Sequence, residues 1–308
     1  MSANGGCPVE SDKESALPIA RLIAEPAVLS ANCVAAVHAF EALGLQVLSA
    51  DPLPAGQSVF QFVLDRGETD AIRAVLDAQF APSDLLITAQ MPAIPRVFVS
   101  DMDSTMIAAE CIDELADFAG LKPQIAAITE RAMQGELDFA DALRERVRLL
   151  GGLREGAIAE CLTQRIAPMP GARVLVETLK AIGCSTVLVT GGFHQFADPV
   201  AEQLGFERVV GNRLAIANGQ LTGGLIGGIV DSAVKEAVLR AEVERCGGPS
   251  LATGDGANDI PMLQAADYGV AYYAKPKARA AAHGAIDRGD LTSVLALLGI
   301  PRGEWVLG

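Results

Sequence analysis

Several common signatures are missing from the 308 residues. The six cysteines, at 7, 33, 111, 161, 184 and 246, form no Cys-x-x-Cys pair and no His/Cys cluster with zinc spacing. They therefore read as buried or incidental thiols, which suits a reducing cytoplasm. Basic residues are too few for a polyanion partner: 24 Lys and Arg against 38 Asp and Glu give a net charge of -14, which disfavours nucleic acid and anionic membrane. An anionic ligand needs a local basic pocket on such a chain. No run of about 18 apolar residues occurs, so no membrane span is expected. The opening stretch "MSANGGCPVESDKESA" has neither a basic start nor an apolar core, and residues 1–16 read as a disordered tail instead of a signal peptide. Internal repeats of solenoid length are absent. Histidines stand only at 38, 194 and 283, too scattered for a catalytic assignment. Half the residues are apolar, enough to bury real cores, and the length is comfortable for two domains.

Residues 17–92 alternate between strand and helix patterns. "IARLIA" is followed by Val34, Val37, Phe40 and Leu43 at helical spacing, closed by Gly44, and then by "LQVLSA" and "SVFQFVL". A second helix with Ile72, Val75, Leu76 and Phe80 leads into "DLLITA". This βαββαβ order is that of a small α+β ferredoxin-like unit, and the proline-bearing link "MPAIPR" separates it from residues 93–308. Beyond the link, three apolar strands end abruptly in polar residues: "VFVS" into Asp101, "TVLV" into Thr190-Gly191-Gly192, and "SLAT" into Gly254-Asp255-Gly256. Strands alternating with helices predict a parallel sheet whose ligands lie beyond the carboxyl ends of the strands, so the three clusters should meet in one crevice. Residues from 107 to about 170 carry helical pattern without strand signal and read as an insertion able to cover it. An Asn-Gly turn at 218 and 219 predicts a hairpin, followed by a helix from Ser232.

Asp101 and Asp103 stand one residue apart in "RVFVSDMDSTM". Like charges that close signal a bound cation, a shared proton or an exposed turn. Four motifs in order, "DMDST", "VTGGF", the lone lysine of "DSAVKEAVL" and "GDGANDIPML", resemble those of the haloacid dehalogenase superfamily of aspartate-nucleophile phosphotransferases, and within it the phosphoserine phosphatase family. The resemblance covers residues 96 to about 300. It implies a Rossmann-like parallel sheet with a helical cap, and an N-terminal unit similar to the amino-acid-binding ACT domains.

It also implies a set of roles. Asp101 becomes the nucleophile, Asp103 the acid and base that serves the serine leaving group and then water, and Lys235 the cation that screens the phosphoryl charge. Mg²⁺ fits an all-oxygen site drawn from Asp101, Asp103 and Asp255 with the Met102 carbonyl, while Asp259 either joins the metal or orients Lys235. Thr190, where the family usually has serine, would donate its hydroxyl to phosphate, beside the N–H groups of Gly191 and Gly192 and the amide of Asn258. Glu110 would pair with a substrate ammonium and Arg146 with its carboxylate, leaving Arg144 and Arg148 to water. Met133 and Phe139 fall where apolar cap residues cover the ligand, or in a core.

The implied activity is hydrolysis of the phosphate monoester O-phospho-L-serine, closing L-serine biosynthesis. Two alternatives stay open: transfer of the phosphoryl group to another alcohol such as homoserine, and amino-acid-responsive regulation through an N-terminal unit that could also pair two chains as a homodimer.

Overall fold

The computed structural model describes residues 17–53, 59–133 and 136–307, with the Met133 side chain outside that set. The predicted tail at 1–16 lies outside it too. The N-terminal unit follows the expected order: β1 (Ile19–Ile23), α1 (Pro26–Ala42), β2 (Val47–Pro52), β3 (Val59–Leu64), α2 (Thr69–Phe80) and β4 (Asp84–Thr88). Pro26, whose missing N–H costs nothing in a first turn, opens α1. The α2 residues Ile72, Val75, Leu76 and Phe80 are buried as their spacing predicts. In α1 the predicted face is only half right: Phe40 is buried with Ala36, whereas Val34 and Leu43 are exposed. That helix is apolar nearly all round, so its periodicity does not single out one side.

The second unit begins with β5 (Val97–Ser100), then a run of cap helices α3 (Cys111–Phe118), α4 (Lys122–Met133), α5 (Phe139–Leu149) and α6 (Gly156–Arg165). Next come α7 (Ala172–Ala181), β6 (Ser185–Phe193), α8 (His194–Leu204), and the hairpin β7 (Arg208–Ala217) and β8 (Gln220–Ile226). Asn218 and Gly219 at its turn both have positive φ, 52° and 74°, the pairing that matches the twist of a two-residue hairpin. Helix α9 (Ser232–Cys246) starts where predicted, and the Asp231 carboxylate accepts the Val234 N–H at 3.0 Å as its cap. The chain closes through β9 (Ser250–Gly254), α10 (Ile260–Ala265), β10 (Tyr268–Tyr272), α11 (Pro276–Ala281), β11 (Gly284–Ile286) and α12 (Thr292–Leu298).

Among the described residues, eleven strands form one sheet in the order β2-β3-β1-β4-β11-β10-β9-β5-β6-β7-β8. From β11 to β7 every pairing is parallel. Chain order runs outward in both directions from the β9–β5 junction, β5 to β7 one way and β9 to β11 the other. That reversal places a crevice at the carboxyl ends of β5 and β9. The strands are buried on both faces because successive side chains alternate. Phe98, Leu188, Leu251, Val270 and Ile286 feed one core, while Val97, Val99, Val187, Val189, Ala252, Ala271 and Ala285 feed the other.

The two units, separated in sequence by the proline link, are continuous in space. β4 pairs antiparallel with β11, Leu86 opposite Gly284 and Leu85 opposite Ala285. Asp84, fully buried, reinforces the seam: its carboxylate accepts the N–H groups of Asp287, Arg288 and Gly289 at 2.9–3.1 Å and the Ser293 hydroxyl at 2.7 Å. Beside it, Arg279 of α11 makes a two-pronged contact to Asp77 of α2, both bonds 2.8 Å.

Removing the Asp84 carboxylate would strand several buried donors at once. Asp84→Ala should lower unfolding free energy by about 3 kcal/mol, read as a lower urea midpoint; a midpoint equal to wild type would show that the seam contributes nothing.

Candidate active site

The strand ends bring the sequence motifs together as predicted. Asp101 follows β5, and its own N–H donates to Thr253 O of β9 at 2.9 Å, which ties the first motif to the fourth. Below it, the Thr253 hydroxyl donates to Ser100 Oγ at 2.7 Å and Ser100 donates on to the Asp101 carbonyl, so the turn is fixed from inside the sheet. Lys235, on the first turn of α9, reaches into the crevice with Nζ 2.7 Å from Asp101 Oδ1 and 2.7 Å from Asp259 Oδ1. All three side chains are buried. Burial alone would push the Lys235 ammonium down, but the two carboxylates outweigh it and hold it above its ordinary value. Asp101 also receives the Met102 N–H on Oδ1, at 2.8 Å. Both contacts fall on one oxygen, so the carboxylate is fixed in rotation while the other oxygen keeps room for a further partner.

Asp101, Asp255 and Asp259 place carboxylate oxygens within 4.8 Å of one another. Asp259 is fully engaged: Oδ1 takes Lys235 and Oδ2 takes the N–H groups of Asp255 and Gly256, at 3.2 and 3.0 Å. Of its two expected roles, this geometry favours orienting the lysine. Burial, then the nearby Asp259 charge, pushes the Asp255 carboxyl up to about 6, and burial likewise raises Asp101 against the pull of Lys235. Three hard-oxygen groups with one buried ammonium among them are short of positive charge, which is the condition a divalent cation relieves. The residues therefore fit a metal.

Two backbone expectations change. The Met102 carbonyl accepts the N–H groups of Thr105, Met106 and Ile107, at 3.2, 2.8 and 3.1 Å, and so is committed to its own turn and not to a cation. The Gly192 N–H donates to Thr190 Oγ1 at 2.8 Å and is not free for an anion. What Gly192 supplies is clearance: a Cβ there would stand 3.0 Å from both Asp103 Oδ2 and Thr190 Oγ1. Since Thr190 accepts that bond, its own proton remains available for a ligand. Its methyl group, the addition relative to serine, lies against Gly211, where a Cβ would come within 3.2 Å of it.

Asp103 stands apart from the three clustered carboxylates. It is half-buried, its Oδ1 accepts the Cys111 N–H at 3.2 Å, and burial followed by the Glu110 charge raises its carboxyl to about 7. Glu110 is exposed and accepts the Ser104 hydroxyl at 3.0 Å. Arg146 on the cap helix α5 is partly buried and donates Nε to the Ala142 carbonyl at 3.3 Å; burial lowers its basicity while Asp113 and Glu110 raise it. Arg144 and Arg148 are exposed, as expected. Phe139, at the start of α5, puts its ring against Gly191, with Cζ 3.1 Å from where a Cβ would sit. Asn258 is partly exposed at the rim, beside Gly256. His38 is exposed, His194 pairs with Asp198 at 2.7 Å, and the His283 ring accepts the Gly269 N–H.

Sequence reading passed over Asn212 and Lys275. The strand expected to end before Thr190 runs on to Phe193, with its pairing to β7 shifted in register after Val189; Asn212, a buried amide in β7, donates to the Gly191 carbonyl at 2.8 Å and accepts the Val230 N–H at 2.9 Å, so it pins this Thr-Gly-Gly part of β6. A polar residue inside the apolar strand "VVGNRLAIA" was the available signal. Lys275, ahead of α11, stands 3.9 Å from Asp255.

The sequence pattern of the haloacid dehalogenase-like hydrolases matches residues 98–264. The phosphoserine phosphatase SerB2 of Mycobacterium tuberculosis is 43% identical over 212 residues, which is 68% of this chain and 52% of that protein, so the chain spans about half of that relative. A phosphoserine phosphatase of Polaromonas is 41% identical over 211 residues, covering 66% of this chain and 89% of its own length. Among solved structures, the probable phosphoserine phosphatase of Vibrio cholerae in unliganded form superposes with a TM-score of 0.72 at 33% identity, over 92% of this chain and 86% of that one. With these matches and the converging motifs, the chain belongs to the haloacid dehalogenase-like hydrolases and, within them, to the phosphoserine phosphatase family.

Proposed function

We propose that this chain hydrolyses O-phospho-L-serine to L-serine and inorganic phosphate, with the phosphoryl group carried transiently on Asp101. The observation that carries the reading is the buried Asp101–Lys235–Asp259 arrangement, 2.7 Å on each side of the ammonium, beside Asp255. An oxygen of Asp101 attacks phosphorus as the bond from phosphorus to the serine oxygen breaks. Asp103, whose carboxyl is raised to about 7, holds a proton at neutral pH often enough to give it to the departing serine oxygen. The same group then takes a proton from the water that attacks the aspartyl phosphate, returning Asp101 to a carboxylate and releasing phosphate. Lys235 opposes the rise that burial imposes on Asp101 and holds it in place, and Thr190 donates to a phosphoryl oxygen.

Asp101 and Asp255 would hold Mg²⁺, which when bound supplies the positive charge that offsets repulsion between the carboxylate and the phosphate. Glu110 and Arg146 recognise the ammonium and carboxylate of the amino acid, and Phe139 with the rest of the cap helices shields the reacting group from water. Residues 93–308 form the catalytic unit in this reading, and residues 17–92 brace it through the shared sheet. The reaction would close L-serine biosynthesis, and five free thiols among the described residues suit the cytoplasm where that takes place.

Two outcomes are expected. Asp101→Asn should fold normally yet release phosphate from phosphoserine at least about a thousandfold more slowly, and acid quench with ³²P-labelled substrate should leave it unlabelled while wild type is labelled; wild-type turnover in the variant would end the nucleophile assignment. Arg146→Ala should raise KM for phosphoserine about tenfold or more, the scale of a lost charge-assisted hydrogen bond, while hydrolysis of an aryl phosphate lacking the amino-acid part changes little. Equal losses on both esters would remove Arg146 from substrate recognition.

A further inference from the structure

An acidic protein that works on a phosphate dianion must bring the substrate past its own field. The crevice holds Asp101, Asp103, Asp255 and Asp259, with Glu110 at its edge, on a chain of net charge -14. Among the described residues, the cations ion-paired with those carboxylates are Lys235 and Lys275. They are placed very differently. Lys235 is 1% exposed and bonded to two carboxylates, so it is fixed in the floor. The Lys275 side chain is 72% exposed and lies 3.9 Å from Asp255 Oδ2, beyond hydrogen-bond reach.

Its backbone, by contrast, is held. The Lys275 N–H donates to the Asp255 carbonyl at 2.9 Å. One turn later, Arg279 anchors α11 to Asp77 of the N-terminal unit and to Asp287. A fixed Cα with a long, solvated, loosely paired side chain keeps an ammonium at the mouth of the crevice without committing it to one partner. The Asp255 carboxylate it faces is also more exposed than Asp101 and Asp259, at 8% for the whole residue.

We propose that Lys275 is the phosphate-recruiting cation of this site: it pairs with Asp255 in the free protein, yields that carboxylate to a divalent cation, and turns to the incoming phosphate. The proposal rests on the phosphatase reading for its substrate, but the pairing with Asp255 is independent of turnover. Two measurements therefore test it. Lys275→Gln should raise KM for phosphoserine about three- to tenfold at low ionic strength, more than it lowers kcat, with the difference shrinking in 0.5 M salt as screening shortens the field to about 4 Å. Lys275→Arg, which keeps the charge, should restore most of the affinity. In calorimetric titration of the substrate-free protein with Mg²⁺, Lys275→Gln should bind about threefold more tightly, the scale of an exposed ion pair. A KM unchanged at low salt, a Lys275→Arg variant as impaired as Lys275→Gln, or an unaltered Mg²⁺ affinity would each overturn it. Absence of phosphoserine turnover in the wild type would instead fault the substrate reading and leave the Mg²⁺ titration to decide on Lys275.

Discussion

Three carboxylates with oxygens within 4.8 Å of one another would repel unless positive charge stood among them, and the Lys235 ammonium supplies it. The pairing is buried, so each contact is much stronger than the same contact on the surface, and losing the lysine would leave charges that solvent cannot reach. The other features of the site follow from this one. Asp259 spends its second oxygen on the amides of Asp255 and Gly256, which shapes the fourth-motif loop around the same lysine. Asp101 is fixed in rotation by Lys235 and the Met102 N–H, so its orientation is settled before any ligand arrives.

Holding that geometry requires a rigid platform, and the sheet provides it. Asp101 and Asp255 directly follow the parallel strands β5 and β9, and Thr190 lies within β6, with β5 central between β9 and β6, so their spacing is set by backbone hydrogen bonds and not by loop conformation. The N-terminal unit extends the same sheet past β11, which would otherwise be an open edge. The Asp84 carboxylate fastens this extension to the turn after β11 and to α12, and the Arg279–Asp77 fork fastens it to α11, the helix that begins beside Asp255. The N-terminal unit thus supports one wall of the crevice through the hydrogen-bonded continuity of the sheet and a few side-chain contacts.

The division of labour between the two aspartates of "DMDST" shows how far residue type carries an argument. Spacing alone leaves a cation, a shared proton or a turn equally open. In the structure, Asp101 meets the lysine and the metal-competent cluster, while Asp103 turns toward Cys111 and Glu110 in a half-buried position that raises its carboxyl to about 7. Asp101 and Asp103 stand two apart, a spacing that straight extended backbone would place on one side; the turn closed on the Met102 carbonyl separates them, so two like side chains acquire different environments. The same reasoning explains the two backbone corrections. Which amide a carbonyl meets depends on how the turn closes, and the Met102 carbonyl closes its own.

The sequence determined the order of elements, the strand ends that bear polar residues, the hairpin turn at Asn218-Gly219 and the start of α9 at Ser232, because period, glycine and capping residues act over a few positions. It also picked out the four motifs that the fold brings together in the crevice. Tertiary structure decided what meets across long separations: the joining of β4 to β11, the seating of Asp84 against residues 287–293, the support of Gly191 by Asn212, and the approach of Lys275 to Asp255. These contacts bring together side chains with no shared local pattern, and only the closure of the sheet and its helices puts them within reach of one another.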